Sequence, residues 1–173
     1  MMIDPQIHIA FRLLLAVIIG AALVHKIGDV KEFKRTLLSY KVLPNKVSAL
    51  AAYVVILVEA AITTALLVGF SGAGLAAAFL FAFYGALIGV KLAQGQVYID
   101  CGCSWVKGAR LSIHYCYRNG VLAALGLFLV LPVSNRAIGI IDYINIGGFA
   151  ATAAGVYFLL DAVLHMKNLE MAR

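Results

Sequence analysis

The sequence predicts an all-α, polytopic membrane bundle: an up-and-down four-helix core, a fifth transmembrane helix and an interfacial amphipathic helix. Three observations carry this. Of 173 residues, 64% are hydrophobic and only 13% charged, where a soluble domain carries about 45–50% apolar and about 25% charged residues. So little charge cannot wet the outside of a soluble core of this size, and lipid takes the place of water. Five apolar stretches approach the roughly 20 residues that carry a helix across a hydrocarbon core of about 30 Å. Between the first two lies a basic segment with apolar residues near helical spacing.

The first span is read over 9–24, with Arg12 snorkelling at its start. No A-x-A cleavage pattern follows it, and His25, Lys26 and Ile27 come next, so it reads as an uncleaved membrane helix. In the linker 26–46, Phe33, Leu37, Leu38, Val42 and Leu43 recur between Lys31, Lys34, Arg35 and Lys41. That pattern predicts an amphipathic helix in the interface, ended by Pro44; a solvated basic linker is the plainer alternative. The second span, 48–70, holds a carboxylate, Glu59, near its middle. Ser71-Gly72-Ala73-Gly74 reads as a tight turn into the third span, 75–91. A loop over 92–115 leads to the fourth, 116–131, which has Arg118 and Asn119 in its first turn and Pro132 at its end. The fifth, 143–160, is flanked by Asp142 and Asp161. Gly85 with Gly89, and Gly147, Ala151 and Gly155, are small residues spaced for close helix packing. The whole chain is a single membrane domain.

The net charge of +6 reads first as loop charge that sets topology, not as a nucleic-acid surface, because no pattern of interleaved aromatics and no binding motif accompanies it. With five crossings, Lys26, Lys31, Lys34, Arg35, Lys41, Lys46, Lys91, Lys107, Arg110, Arg118, Lys167 and Arg173 share one side. The other side has Arg12 and Arg136. The positive-inside rule makes the rich side cytoplasmic.

The strongest chemical motif is Asp100-Cys101-Gly102-Cys103, in the loop after the third span. Two thiols one residue apart can close on each other, and the intervening glycine eases that tight ring. Strained, exposed disulfides are the oxidising, labile ones. The pair therefore suits electron exchange better than stapling a fold. Lys107, Arg110 and Arg118 would favour a thiolate, and Asp100 would oppose it. A zinc site is the weaker alternative, since only His114 and Cys116 stand near enough in sequence to complete four ligands; inert structural cysteines are the other. Cys116 reads as a small buried residue or as a resolving thiol for the pair.

A carboxylate at mid-membrane is expensive, which makes Glu59 a candidate functional group. Its plainer role is a protonated hydrogen-bonding link to Tyr53, Thr63 or Tyr84; an ion pair with Arg118 is a third. Arg118 and Asn119 are read as a snorkelling anchor or as supports of the C-G-C loop. His25, His114 and His165 read as interfacial polar residues, and Trp105, Tyr98, Tyr115 and Tyr117 as an aromatic belt.

These residues, taken in order, resemble the methylamine utilisation protein MauE family, within the wider MauE/DoxX group of redox-associated membrane proteins. The matching residues begin with His25-Lys26, Asp29, Phe33, Tyr40 and Leu43-Pro44. They continue with Glu59, Asp100-Cys101-Gly102-Cys103, Leu111-Ser112 and Arg118-Asn119. The resemblance covers about residues 10 to 131. Ser104-Trp105 stands where many relatives have Phe-Gly.

The resemblance implies maturation of the disulfide-rich β-subunit of methylamine dehydrogenase, an exported protein, together with MauD, a membrane-anchored thioredoxin-like partner. It implies Cys101 and Cys103 as the redox pair of a thiol–disulfide oxidoreductase in the inner membrane, with Asp100, Gly102, Glu59, Arg118, Asn119 and Cys116 in support. A membrane quinone could accept the electrons, although no residue pattern demonstrates a site for one. The alternative is a non-catalytic assembly factor for the same subunit. Paired broken helices and inverted halves, the marks of a transporter, are missing from the sequence. A periplasmic task and the charge count disagree about the side of the C-G-C loop, and both readings stand.

Overall fold

Asp4 and Pro5 open the first helix, α1 (Pro5–Gly28). The Asp4 carboxylate accepts the Gln6 amide at 2.8 Å, and proline at the first helical position lacks an N–H that would otherwise be orphaned. Asp29 ends α1 and starts α2 (Val30–Ser39), its carboxylate accepting the Glu32 amide at 3.1 Å. The structure is a computed structural model, in which residues 2–39, 45–95 and 112–170 are described. It continues with α3 (Asn45–Val68), α4 (Ala73–Ala93), α5 (Ile113–Phe128) and α6 (Ile140–Glu170).

The turn between α3 and α4 differs from the expected Ser71–Gly74. The left-handed residue is Gly69, with φ of +80°. The Gly69 amide donates to Leu66 O at 3.3 Å and the Phe70 amide to Ala65 O at 2.9 Å, the paired bonds of a glycine-ended helix. Ala73 and Gly74 already belong to α4. Gly74 is small for packing: an added Cβ would stand 2.6 Å from the Leu129 Cβ and 2.8 Å from Gly126 O.

Four described helices are long and apolar enough to cross a membrane: α1, the stretch Leu50–Val68 of α3, α4, and the stretch Ile140–Leu164 of α6. The outer faces carry bare apolar side chains, among them Leu57, Phe79, Phe83, Val121 and Leu159. A continuous surface of that kind suits lipid and would associate in water. The chain is a multi-pass helical membrane protein. The 16 residues of α5 give about 24 Å of helix at 1.5 Å per residue, short of a full crossing. Bonds from Val130 N–H to Leu127 O and from Leu131 N–H to Phe128 O carry its last turns on to Pro132.

Helix α1 is central, with α3 and α6 against it and α5 touching it; α4 and α5 form the most extensive interface, and α2 lies on α1 and α3. Leu15, Ile19, Leu66, Ala77, Phe81 and Leu122 make the core. Gly126 meets the Ala78 amide and Gly74 O, so α4 and α5 touch through backbone. Gly85 and Gly89 face Asn119 and Cys116 across the same interface. By contrast, an added Cβ at Gly147 or Gly155 on the last helix meets nothing within 4 Å among the described residues, and Ala150 and Ala154 are the small residues of α6 buried within this chain.

At one end of the bundle the N-terminus is stitched to the 132–134 segment. Ile3 N–H donates to Pro132 O at 2.9 Å, and Ser134 N–H donates to Ile3 O at 2.8 Å. Arg136 binds Asp4 at 3.0 Å and Asp142 at 3.1 Å there. The opposite end gathers the end of α1, all of α2, the end of α4 and the start of α5. The loop carrying Asp100, Cys101, Gly102 and Cys103 joins α4 to α5 at that end; those four residues, and Tyr98 and Trp105, lie outside the described residues.

Candidate functional site

Two buried ion pairs occupy the interior below the C-G-C end. In the first, Lys26 of α1 meets Glu59 of α3, with only 2% and 1% of their side chains exposed. The Tyr84 hydroxyl of α4 donates to the same carboxylate oxygen, Oε1, at 2.5 Å. Lys26 Nζ also lies 5.2 Å from the ring centres of Phe33 and Tyr84. Phe33 is the buried apolar residue of α2, so the amphipathic helix closes over the ammonium group. On its outer side Lys34 reaches the Tyr53 hydroxyl at 2.8 Å. Among the described residues, Glu59 Oε2 has no hydrogen-bond partner.

The expected partners of Glu59 are thus corrected in part. Tyr84 is one of them. Tyr53 is taken by Lys34, and Thr63 donates to the Glu59 backbone carbonyl at 2.8 Å, not to its carboxylate. Arg118 is not its ion-pair partner. The second pair joins Arg118 of α5 to Asp161 of α6 at 2.5 Å, and both side chains are largely buried. The guanidinium sits between the rings of Tyr115 and Tyr157, at 4.9 and 5.6 Å from their centres. Arg118 is therefore no snorkelling anchor, Asp161 no flank of the fifth span, and Tyr115, at 1% exposed, no member of an interfacial belt.

Asn119 is buried and donates to Tyr115 O at 2.7 Å. Cys116, half-buried, has its Sγ 3.7 Å from Gly85 O and 3.9 Å from the Cβ position of Gly89. Packed into the α4–α5 seam, it fits the reading of a small core residue. Among the described residues no group of His, Cys, Asp and Glu could hold a metal.

A cavity of about 20 Å³ lies between the two pairs, with Glu59, Tyr84, Arg118, Asn119 and Tyr157 in its wall. That is room for a single water. Glu59 and Arg118, one member of each pair, thus share the wall of one small polar cavity.

Lys26 and Asp161 are the residues the sequence reading misplaced. The signal was present. Lys26 continues the buried α1 face of Leu15, Ile19 and Ala22, and Asp161 continues Ile146, Ala150, Ala154 and Tyr157 on α6. A charge that keeps the register of a buried stripe is inside the bundle.

A small helical membrane bundle whose interior carries two charged pairs, rather than an apolar seam, defines the class. The family model of the methylamine utilisation protein MauE matches residues 5–132, and the chain belongs to that family. Among relatives described as methylamine utilization protein MauE, that of Paracoccus denitrificans is 34% identical over 130 residues, covering 73% of this chain and 69% of its own length. That of Methylophilus methylotrophus is 27% identical over 166 residues, covering 93% and 87%. That of Paracoccus versutus is 31% identical over 137 residues, covering 76% and 73%. No solved structure matches the chain significantly.

Proposed function

We propose that this protein serves methylamine utilisation as a thiol–disulfide redox protein of the inner membrane, with Cys101 and Cys103 as its exchanging pair. The observation that carries the reading is the C-G-C motif itself, in the sequence between α4 and α5. The partner is a membrane-anchored, thioredoxin-like protein of the MauD kind. Its client is an exported, disulfide-rich subunit, the methylamine dehydrogenase β-subunit.

In the exchange, a partner thiolate attacks one sulfur of the Cys101–Cys103 disulfide and forms a mixed disulfide. The partner's second thiolate then displaces that sulfur. The partner leaves oxidised, and Cys101 and Cys103 leave as thiols holding the two electrons and two protons it gave up. Glu59, with its unbonded oxygen, is the interior group suited to holding a proton during such a cycle.

The test is maturation of the dehydrogenase in cells whose own gene is replaced by Cys101→Ser or Cys103→Ser. Both variants are expected to lose maturation, with a trapped mixed disulfide to the partner in one of them. Maturation retained in either variant overturns the exchange, and retained in the double variant it makes the protein a non-catalytic assembly factor.

A further inference from the structure

The end of the bundle away from the C-G-C loop holds a second, larger cavity of about 260 Å³. Its polar lining is His8 and Arg12, one turn apart on α1, with Ser71 from the α3–α4 turn; Phe70 and Leu129 are among its apolar walls. His8 is committed, its Nε2 standing 3.1 Å from Leu129 O. Arg12 is not. Its Nε is buried with no hydrogen-bond partner, and among the described residues no carboxylate pairs with it. The two carboxylates of this end, Asp4 and Asp142, are both taken by Arg136.

The chain makes space for this guanidinium. Gly69, with its φ of +80°, lies against Nη1, and a Cβ there would collide with it. The Arg12 side chain as a whole is half-buried, but its Nε is covered, and a desolvated N–H without an acceptor is costly. The planar fork of Arg is matched by the oxygens of a phosphate or carboxylate. An apolar wall beside the fork favours an anion that carries hydrocarbon with it.

We propose that this cavity binds a phosphate group, with Arg12 as its bidentate donor and the Ser71 hydroxyl beside it. The lipid source is the headgroup of an anionic phospholipid, whose phosphate charge no choline offsets, with its glycerol and first methylenes along Phe70 and Leu129; the free source is inorganic phosphate.

The experiment uses the full chain in nanodiscs of phosphatidylcholine, with and without phosphatidylglycerol, and in phosphatidylcholine discs with added inorganic phosphate. Lipid retained on release is counted by native mass spectrometry, and thermal unfolding is followed in each disc. The wild type is expected to retain phosphatidylglycerol above its bulk fraction and to unfold at higher temperature with it. Arg12→Gln is expected to lose about tenfold in that preference, the scale of one charged hydrogen bond, and Arg12→Lys to keep part of it. A matching thermal shift from inorganic phosphate alone, absent in Arg12→Gln, assigns the site to free phosphate. Retention at the bulk lipid ratio with no shift from phosphate overturns the proposal, as does an unchanged preference in Arg12→Gln. The wild-type counts decide the matter even where a variant does not fold.

Discussion

Lys26 and Glu59 illustrate how a buried pair is strong only as a pair. Removing one partner leaves an uncompensated charge inside the bundle, at a cost of about 3–5 kcal/mol, while replacing both by apolar residues of similar volume is often neutral. Lys26→Met alone should therefore lower the thermal unfolding midpoint sharply, and Lys26→Met with Glu59→Leu should recover most of it. Equal loss in the single and double variants, measured in detergent or nanodiscs, would show that the cost of Lys26→Met is not that of an unpaired Glu59. Glu59 and Arg118 share one small cavity, so Glu59→Gln and Arg118→Gln should be non-additive by roughly 0.5–3 kcal/mol. A thermodynamic cycle that closes within error would separate the two pairs. Glu59 was legible as a candidate from its place in an apolar stretch. Its partner was not, because Lys26 sits beside a linker full of lysines, and only helix phase marks it as inward.

At the level of the element, the α4–α5 seam and the outer face of α6 respond differently to the same change. Gly126→Ala places a Cβ 2.8 Å from the Ala78 amide and Gly74 O, and overpacking of that kind costs about 1–3 kcal/mol. Gly147→Ala meets nothing within 4 Å and should be neutral or stabilising by up to about 1 kcal/mol through helix propensity. Unfolding of the two variants side by side checks this, and a larger loss for Gly147→Ala would mean that α6 packs against something outside this chain. The spacing of small residues is equally suggestive on both helices, since periodicity names a stripe without naming its neighbour. The amphipathic helix was legible in the same limited way: its pattern gave the helix, but that Phe33 closes over the Lys26 ammonium group depends on where α1 ends.

For the whole molecule, the open quantity is the side of the membrane that the C-G-C end faces. Lys26, Lys91 and Arg118 enter a charge count as loop residues, yet all three are buried or largely buried, and two of them are neutralised by Glu59 and Asp161. The loop charge that biases topology is therefore smaller than the sequence suggests. The proposed exchange with an exported client predicts that, in a Cys116→Ser background, Cys101 and Cys103 in intact cells react with an impermeant maleimide only after an external reductant. Reaction only after permeabilisation would put the pair in the cytoplasm and make the protein a relay across the membrane. Cys116 itself, set into the α4–α5 seam, should stay unlabelled in the wild type until the protein unfolds.

Composition and period determined the outline. An apolar chain with too little charge for water has to be a helix bundle in lipid, because only helices and closed barrels satisfy their backbone there. The order of Glu59, the C-G-C motif and Arg118-Asn119 was enough to suggest the family. What tertiary structure decided was who faces whom: Lys26 with Glu59, Arg118 with Asp161, Gly74 with Gly126, and Arg12 left with a cavity in place of a carboxylate. Those choices depend on the relative rotation of helices far apart in sequence. One residue's shift along a helix turns a side chain by about 100°, so small differences in where helices begin separate a buried ion pair from a lysine at the membrane surface.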